Sequence, residues 1–304
     1  MQDLQQLNND FRAEGAVTYN LTKGRLPVAT LSCGQSSAAV CLQGGHVMSF
    51  LPGGGRELLW LSGKSWYADD QPIRGGIPVC WPWFGGHPSN PDLPSHGFAR
   101  ISRWEVVGAE ALGRDSTRLT LRLGDSEATR GMLDAPFELL LAITISDKLE
   151  VALTTRNLSN APLRMTQALH TYFNVSAVTD IVIDGFDGCP SVDTVGGANA
   201  PGTQNGPVRI AAETDLILTD CPGEATITDP GFARRIRIAK EGSNSAVVWN
   251  PWIAKAARMP DFGDDEYPGM VCVETTNARG DEATIPAGGS HCLKAIISTE
   301  PLSD

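Results

Sequence analysis

Residues Phe137–Asn157 read FELLLAITISDKLEVALTTRN. Two β-leaning runs, Phe137–Ser146 and Leu149–Asn157, flank a polar Asp147-Lys148 pair, and the arrangement reads as a hairpin turning at those two residues. Outward from this hairpin the same signal recurs. Arg118–Leu123 alternates polar and apolar residues, and Arg235–Lys240 alternates again, with Ile236 and Ile238 on one face. A period of two presents one face to a core and the other to solvent or a second sheet. Helical patterning is sparse: Leu4, Leu7 and Phe11 predict one face of a short N-terminal helix. The long amphipathic helices that a doubly wound parallel sheet needs are missing. Gly196–Pro207 (GGANAPGTQNGP) reads as a surface loop, because β-type patterning resumes after it. The expected fold is therefore all-β, a large antiparallel β-sandwich with few short helices, in one domain over 1–304.

Composition bounds the partners. The 304 residues carry 35 acidic and 24 basic side chains, a formal net charge of −11. That surface repels a phosphate backbone, so nucleic acid is excluded as a partner, while one small anion in one pocket is not. The 32 Gly and 20 Pro fit a chain with many turns. Met1–Asn9 has neither a basic leader nor an apolar core, so it does not read as a signal peptide. No stretch approaches the ~18 apolar residues of a membrane span. Seven scattered cysteines, odd in number and without a C-x-x-C pair, suggest reduced and mostly buried thiols in the cytoplasm.

Candidate chemistry gathers in a few segments. Ile73–Arg100 reads IRGGIPVCWPWFGGHPSNPDLPSHGFAR, too rich in Gly and Pro for a continuous strand. Between Arg74 and Trp104 three arginines face one acid, Asp92, so the segment is locally basic. Arg74 and Arg100 suit an oxyanion, or pair with structural carboxylates. Trp81 and Trp83 offer a stacking platform for a sugar, or ordinary core packing. In Gln167–Val175, QALHTYFNV, His170 sits among apolar and aromatic residues that favour neutral imidazole. In Met270–Asn277, MVCVETTN, Glu274 ends an apolar run, so its carboxylate is expected to emerge from a buried strand as a partly desolvated base. Asp215 opens a β-like run after Glu213 and could hold substrate hydroxyls or cap a turn. Asp261–Glu266, DFGDDE, reads as a solvated acidic turn and lacks the full calcium-loop pattern. Histidines 46, 87, 96, 170 and 291 include no paired ligand spacing, so no metal is assigned. Neither G-x-S-x-G nor a phosphate-binding G-x-x-x-x-G-K-[ST] loop is present.

Taken together, Arg74–Gly85 (RGGIPVCWPWFG), Ser95–Arg100 (SHGFAR), Ala168–Asn174 (ALHTYFN), Glu213–Asp215 and Met270–Glu274 (MVCVE) resemble the aldose 1-epimerase (galactose mutarotase-like) superfamily. Within it the chain is similar to the hexose-6-phosphate mutarotase, or glucose-6-phosphate 1-epimerase, branch. The resemblance implies a single β-sandwich and no cofactor. It implies His170 and Glu274 as the acid–base pair, with His96 as a second imidazole beside the sugar ring. It implies Arg74 and Arg100 as contacts to the substrate and its phosphate, and Asp215 as a holder of hydroxyls. Ser95 occupies a substrate-contact position where some relatives carry Gln, and Ile101 stands where Asn is frequent. The implied partner is a small sugar phosphate; membrane and nucleic acid are set aside by hydropathy and charge, and a monomer is expected. Open alternatives are a mutarotase of free aldoses, a non-catalytic carbohydrate-binding module on the same sandwich and, more remotely, a cupin-like metalloenzyme.

Overall fold

The computed structural model describes residues 2–13 and 15–302; Met1, Glu14 and Ser303–Asp304 of the expected span lie outside the described residues. The fold is all-β. Two eight-stranded antiparallel sheets dominate, joined by a four-stranded sheet from Val17–Leu21 to His46–Leu51 and a two-stranded pairing of Leu163–Met165 with Ala283–Ile285. The described α-helices are short: Leu4–Asp10, Glu127–Arg130 and Trp252–Ala256. Asp3 caps the first by accepting from the Gln6 amide at 2.7 Å, and Leu7 is fully buried while Leu4 and Phe11 pack against the core.

The hairpin read from the sequence is present. Phe137–Ile145 pairs with Leu149–Asn157 along its whole length, with Leu141 opposite Leu153. Alternate residues of both strands are buried, and each buried leucine there contributes about 1.5–3 kcal/mol. The sheet built around it continues through Ser290–Pro301 and Arg234–Glu241, where Ile236 and Ile238 face inward. One difference from the sequence reading lies in 196–207. Ala200–Thr203 pairs with Pro190–Asp193 as an edge strand, and all four of its residues are exposed. With neither face covered, no apolar alternation marked it as a strand.

The second large sheet positions the site. Its order runs Ala200–Thr203, Pro190–Asp193, Thr214–Leu218, Ser245–Asn250, Met270–Asn277, Gln167–Leu169 and Val79–Cys80, with Tyr172–Asn174 also pairing to Met270–Asn277. Val271, Val273, Ala246 and Val248 join the main core between the sheets. The alternate residues Met270, Cys272, Val247 and Trp249 pack on the opposite face with Trp60, Tyr172 and Phe262. Met270–Asn277 is thus buried on both faces along its entire length.

Candidate active site

Sheet register brings His170 and Glu274 together. Leu169 pairs with Thr275 and Tyr172 pairs with Cys272, so continuing the register from either side sets His170 across from Glu274. The ladder breaks at that point. The His170 amide donates to the Pro78 carbonyl at 3.0 Å, and Thr171 turns back to Leu169. His170 Nδ1 and Glu274 Oε1 lie 3.3 Å apart, at 8% and 1% side-chain exposure. The contact is not aligned as a hydrogen bond, and neither Nδ1 nor the second carboxylate oxygen, Oε2, has a hydrogen-bond partner among the described residues. Buried polar atoms are normally satisfied, so two unpartnered atoms on neighbouring titratable side chains single this pair out as a candidate for function.

Burial sets the protonation of this pair. It raises the Glu274 carboxyl well above its ordinary range, with Asp215 adding repulsion and Arg100 opposing. It lowers His170 well below the ordinary imidazole range, helped by the positive charges of Arg100 and Arg74. Both shifts favour neutral groups, so near neutrality the pair holds one proton between them. The His170 ring stacks on Tyr172, with centroids 4.8 Å apart and an 8° interplanar angle, which fixes its orientation.

The pair lines a cavity of about 500 Å³, within the usual range for a small-molecule site. Arg74, His96 and Asp215 line the same space. His96 is brought in by Gly97, whose φ of +73° and lack of a side chain let the backbone lie against the Trp81 carbonyl; a Cβ there would sit 2.0 Å from that oxygen. The His96 ring meets His170 edge-on at 5.6 Å. Its Nδ1 accepts from the Gly85 amide at 3.3 Å, leaving the proton on Nε2, and burial lowers its pKa, with Arg100 contributing. Asp215 opens Thr214–Leu218, and burial raises its carboxyl against the pull of Thr194 and Lys255.

Arg74 has structural partners. Its guanidinium donates to Asp261 at 3.1 and 3.3 Å and to the Tyr172 hydroxyl at 3.0 Å. Burial works against its charge, but Tyr172 and Asp261 outweigh that and hold it firmly protonated. Asp261 is therefore no solvated turn residue: at 4% exposure it is the buried counterion of Arg74. Arg100 and Ser95 stand outside the cavity lining. Arg100 donates to the Ser95 carbonyl at 2.8 Å and acts on the imidazoles by its charge from behind. The Ser95 hydroxyl donates to the Gly85 carbonyl at 3.3 Å.

Glu274 differs from its sequence reading, since the strand runs on to Asn277 and leaves it 2% exposed rather than at an emerging edge. Trp81 and Trp83 are core residues, at 0% and 6% exposure; the aromatic walls of the cavity are Phe84, Tyr172 and Trp249. Sequence reasoning missed Lys255 and Arg279, which also line it. Lys255 sits on the short Trp252–Ala256 helix, 3.1 Å from Glu213 and 3.8 Å from Asp215, with no motif around it. Arg279 follows the Glu274 strand directly, in an Ala-Arg-Gly turn, and that adjacency was the available signal. His170, Cys272 and Glu274 bring three metal-type donor atoms within 4.8 Å of one another, but burial pushes the thiol well above its ordinary range and keeps it protonated.

Residues 27–298 match the family described as Aldose 1-epimerase. The chain is 33% identical over 262 residues, 86% of its length and 87% of the relative's, to an Escherichia coli K12 protein named "Putative glucose-6-phosphate 1-epimerase". It is 33% identical over 247 residues, 78% and 74% of the two lengths, to a protein of Cenchrus ciliaris with the same name. The fold is similar to a Salmonella typhimurium crystal structure titled a "putative mutarotase", with a TM-score of 0.88, 29% identity and 96% coverage of both chains. A galactose mutarotase-like protein from Clostridium acetobutylicum shares the fold at a TM-score of 0.70 and 14% identity, over 94% of this chain and 98% of the other.

Proposed function

The chain belongs to the aldose 1-epimerase family, and on that premise we propose that it is a hexose-6-phosphate mutarotase interconverting the α and β anomers of glucose 6-phosphate or a close relative. The observation that carries this reading is the buried His170–Glu274 pair, 3.3 Å apart, on the wall of one sugar-sized cavity, with a polar atom of each left without a hydrogen-bond partner. A module that only bound carbohydrate would gain nothing from burying a carboxyl and an imidazole without partners.

Anomerisation requires removal of the C1 hydroxyl proton and protonation of the ring oxygen. In the reading proposed here Glu274 takes the C1 proton and His170 delivers one to the ring oxygen, opening the ring to the aldehyde. Rotation about C1–C2 turns the carbonyl over, and the reverse transfers close the other anomer. The steps start from an ionised Glu274 and a protonated His170, so the pair's single proton, which burial keeps on Glu274 before substrate binds, would first move to the imidazole; it then shifts from imidazole to carboxylate on opening and back on closing. His96, with its proton on Nε2, would donate a hydrogen bond to the ring substituents. Asp215 would orient sugar hydroxyls, and no step calls on a metal or cofactor. Arg74, expected as a contact to the substrate and its phosphate, would act as a cation in the cavity wall, while Arg100 and Ser95, which do not line the cavity, would act indirectly, Arg100 by its charge and Ser95 through the loop it shares with Arg100.

Acid–base transfer of this kind contributes about 10²–10⁴-fold, and positioning supplies the rest. We read residues 1–304 as one catalytic domain, monomeric and cytoplasmic. Free rather than bridged cysteines among the described residues, and the absence there of a helix long and apolar enough to cross a membrane, are in keeping with that reading. The test is NMR anomer exchange on glucose, galactose and mannose, each with and without the 6-phosphate. Acceleration confined to the phosphates supports the reading; faster exchange of the free sugars refutes the substrate assignment, and binding without acceleration refutes catalysis.

A further inference from the structure

Three side chains that carry a fixed positive charge line the cavity: Arg74, Lys255 and Arg279. Two of them already hold carboxylates. Arg74 is bonded to Asp261, and Lys255 sits between Glu213 and Asp215. An anion arriving at either would compete with a carboxylate in place. Arg279 has no ion-pair partner among the described residues; its guanidinium donates instead to the side-chain oxygen of Asn199, a neutral acceptor that also lines the cavity. A guanidinium has five donors in a planar fork, so one neutral contact leaves most of it free for an oxyanion.

The turn that carries Arg279 is also tied down. It occupies the left-handed region, φ +47°, in the turn that follows the Glu274 strand, with Gly280 at φ +94°. The Asp281 carboxylate ties that turn to the sheet, accepting from the Asn244 amide at 2.8 Å, the Ser245 hydroxyl at 3.1 Å and the Asn277 amide at 3.0 Å. The Ala278 amide donates to the same serine hydroxyl at 3.1 Å. From Glu274 to the strand end at Asn277 the chain advances about 10 Å, at ~3.3 Å per residue. A pyranose with C1 between His170 and Glu274 carries its C6 group beyond the ring oxygen, away from the reacting carbon. Arg279, exposed at the cavity rim, stands where such a remote group would reach solvent.

We propose that Arg279, held by Asn199, receives the phosphate of the substrate and so makes the site select phosphorylated over free hexoses. This rests on the sugar-phosphate mutarotase reading above. The test measures kcat/KM for glucose 6-phosphate and for glucose by NMR anomer exchange, together with inhibition by inorganic phosphate, in the wild type, Arg279→Gln, Arg279→Lys and Asn199→Ala. A charge-assisted contact of this kind is worth about 10–100-fold. Arg279→Gln is therefore expected to lower the ratio of the two kcat/KM values by that factor, chiefly through KM for the phosphate, and to weaken phosphate inhibition in parallel. Arg279→Lys should recover part of the ratio, and Asn199→Ala should lower it by less. A wild type that exchanges both sugars alike overturns the sugar-phosphate reading and this inference with it. A wild type that prefers the phosphate, with Arg279→Gln retaining both the preference and the phosphate inhibition, overturns this inference alone.

Discussion

Replacing Glu274 by glutamine should make the protein both inactive and more stable, and the second effect should grow with pH. The carboxyl is 2% exposed, its Oε2 has no hydrogen-bond partner, and burial raises its pKa well above the usual 4.5. A group whose folded pKa lies above its unfolded value keeps the native state fully stable only below the unfolded pKa. Stability is then lost as pH rises towards the folded pKa. Glutamine, being neutral throughout, escapes that loss. Glutamine also buries an unpaired polar atom, so what it relieves is only the further penalty of the ionised form, on the order of 1–3 kcal/mol. Over the unfolding entropy of a 304-residue chain, ~2 cal/mol/K per residue, this corresponds to a gain in Tm of about 2–5 °C. The assay is a pair of thermal melts at pH ~5 and ~8, with anomer exchange on the same samples. The gap should be small in acid and open towards the higher pH, while the exchange rate falls by about 10²–10⁴-fold. A gap that stays constant, or that closes as pH rises, would refute the claim that burial of this carboxyl is a strain the protein carries. An unchanged exchange rate would remove Glu274 from the chemistry.

Other outcomes follow from the same geometry. The His170–Glu274 pair gains its second proton only below the ordinary imidazole value of 6.5, so the acid limb of kcat/KM against pH should fall below that value; an acid limb at or above it would contradict the direction of the shift. Its last proton leaves well above 4.5, so loss of activity on the alkaline side should come far outside the carboxylate range. Asp261→Asn strips the half-buried Arg74 of its counterion and should cost about 1.5–3 kcal/mol in urea unfolding; a loss under 1 kcal/mol would show that the Tyr172 hydroxyl suffices to hold Arg74. Gly97→Ala forces a φ of +73° on a side-chain-bearing residue and drives its Cβ to 2.0 Å from the Trp81 carbonyl. It should cost about 1–3 kcal/mol from the dihedral alone, with the clash in addition, and normal melting with normal activity would disprove the close approach.

The parts of the fold that were legible are those with one wet face. Phe137–Asn157, Arg118–Leu123 and Arg235–Lys240 alternate because water lies on one side of their sheet and the core on the other. Met270–Asn277 carries no such signal. Met270 and Cys272 pack on one face, Val271 and Val273 on the other, and the polar Thr275–Asn277 stretch that looks like a surface is buried too. Its polar groups are satisfied internally: Gln167 donates to Asn277 at 2.9 Å, and the Ser245 and Thr276 hydroxyls meet at 2.8 Å. The end of the strand, and with it the depth of Glu274, could not be read from hydropathy. Asp261 looked solvated because its burial depends on Arg74, which is remote in sequence. Periodicity alone did not reveal that His170 faces Glu274; their pairing came from resemblance, and the ladder explains it. Lys255 and Arg279 reach the cavity from a one-turn helix and a turn, places where local pattern says nothing about what the side chain faces.

The break in the ladder at His170 has a mechanical consequence. Gln167–Leu169 and Tyr172–Asn174 clamp the same partner strand on both sides of the gap, so the spacing of His170 and Glu274 is set by the sheet itself. The residues that would choose among sugars, such as Asn199 and Arg279, hang on turns at its margin. A change in those turns would therefore alter what the cavity margin offers a sugar without moving His170 relative to Glu274, so substrate choice and proton transfer, if the proposed roles hold, are mechanically separable in this fold.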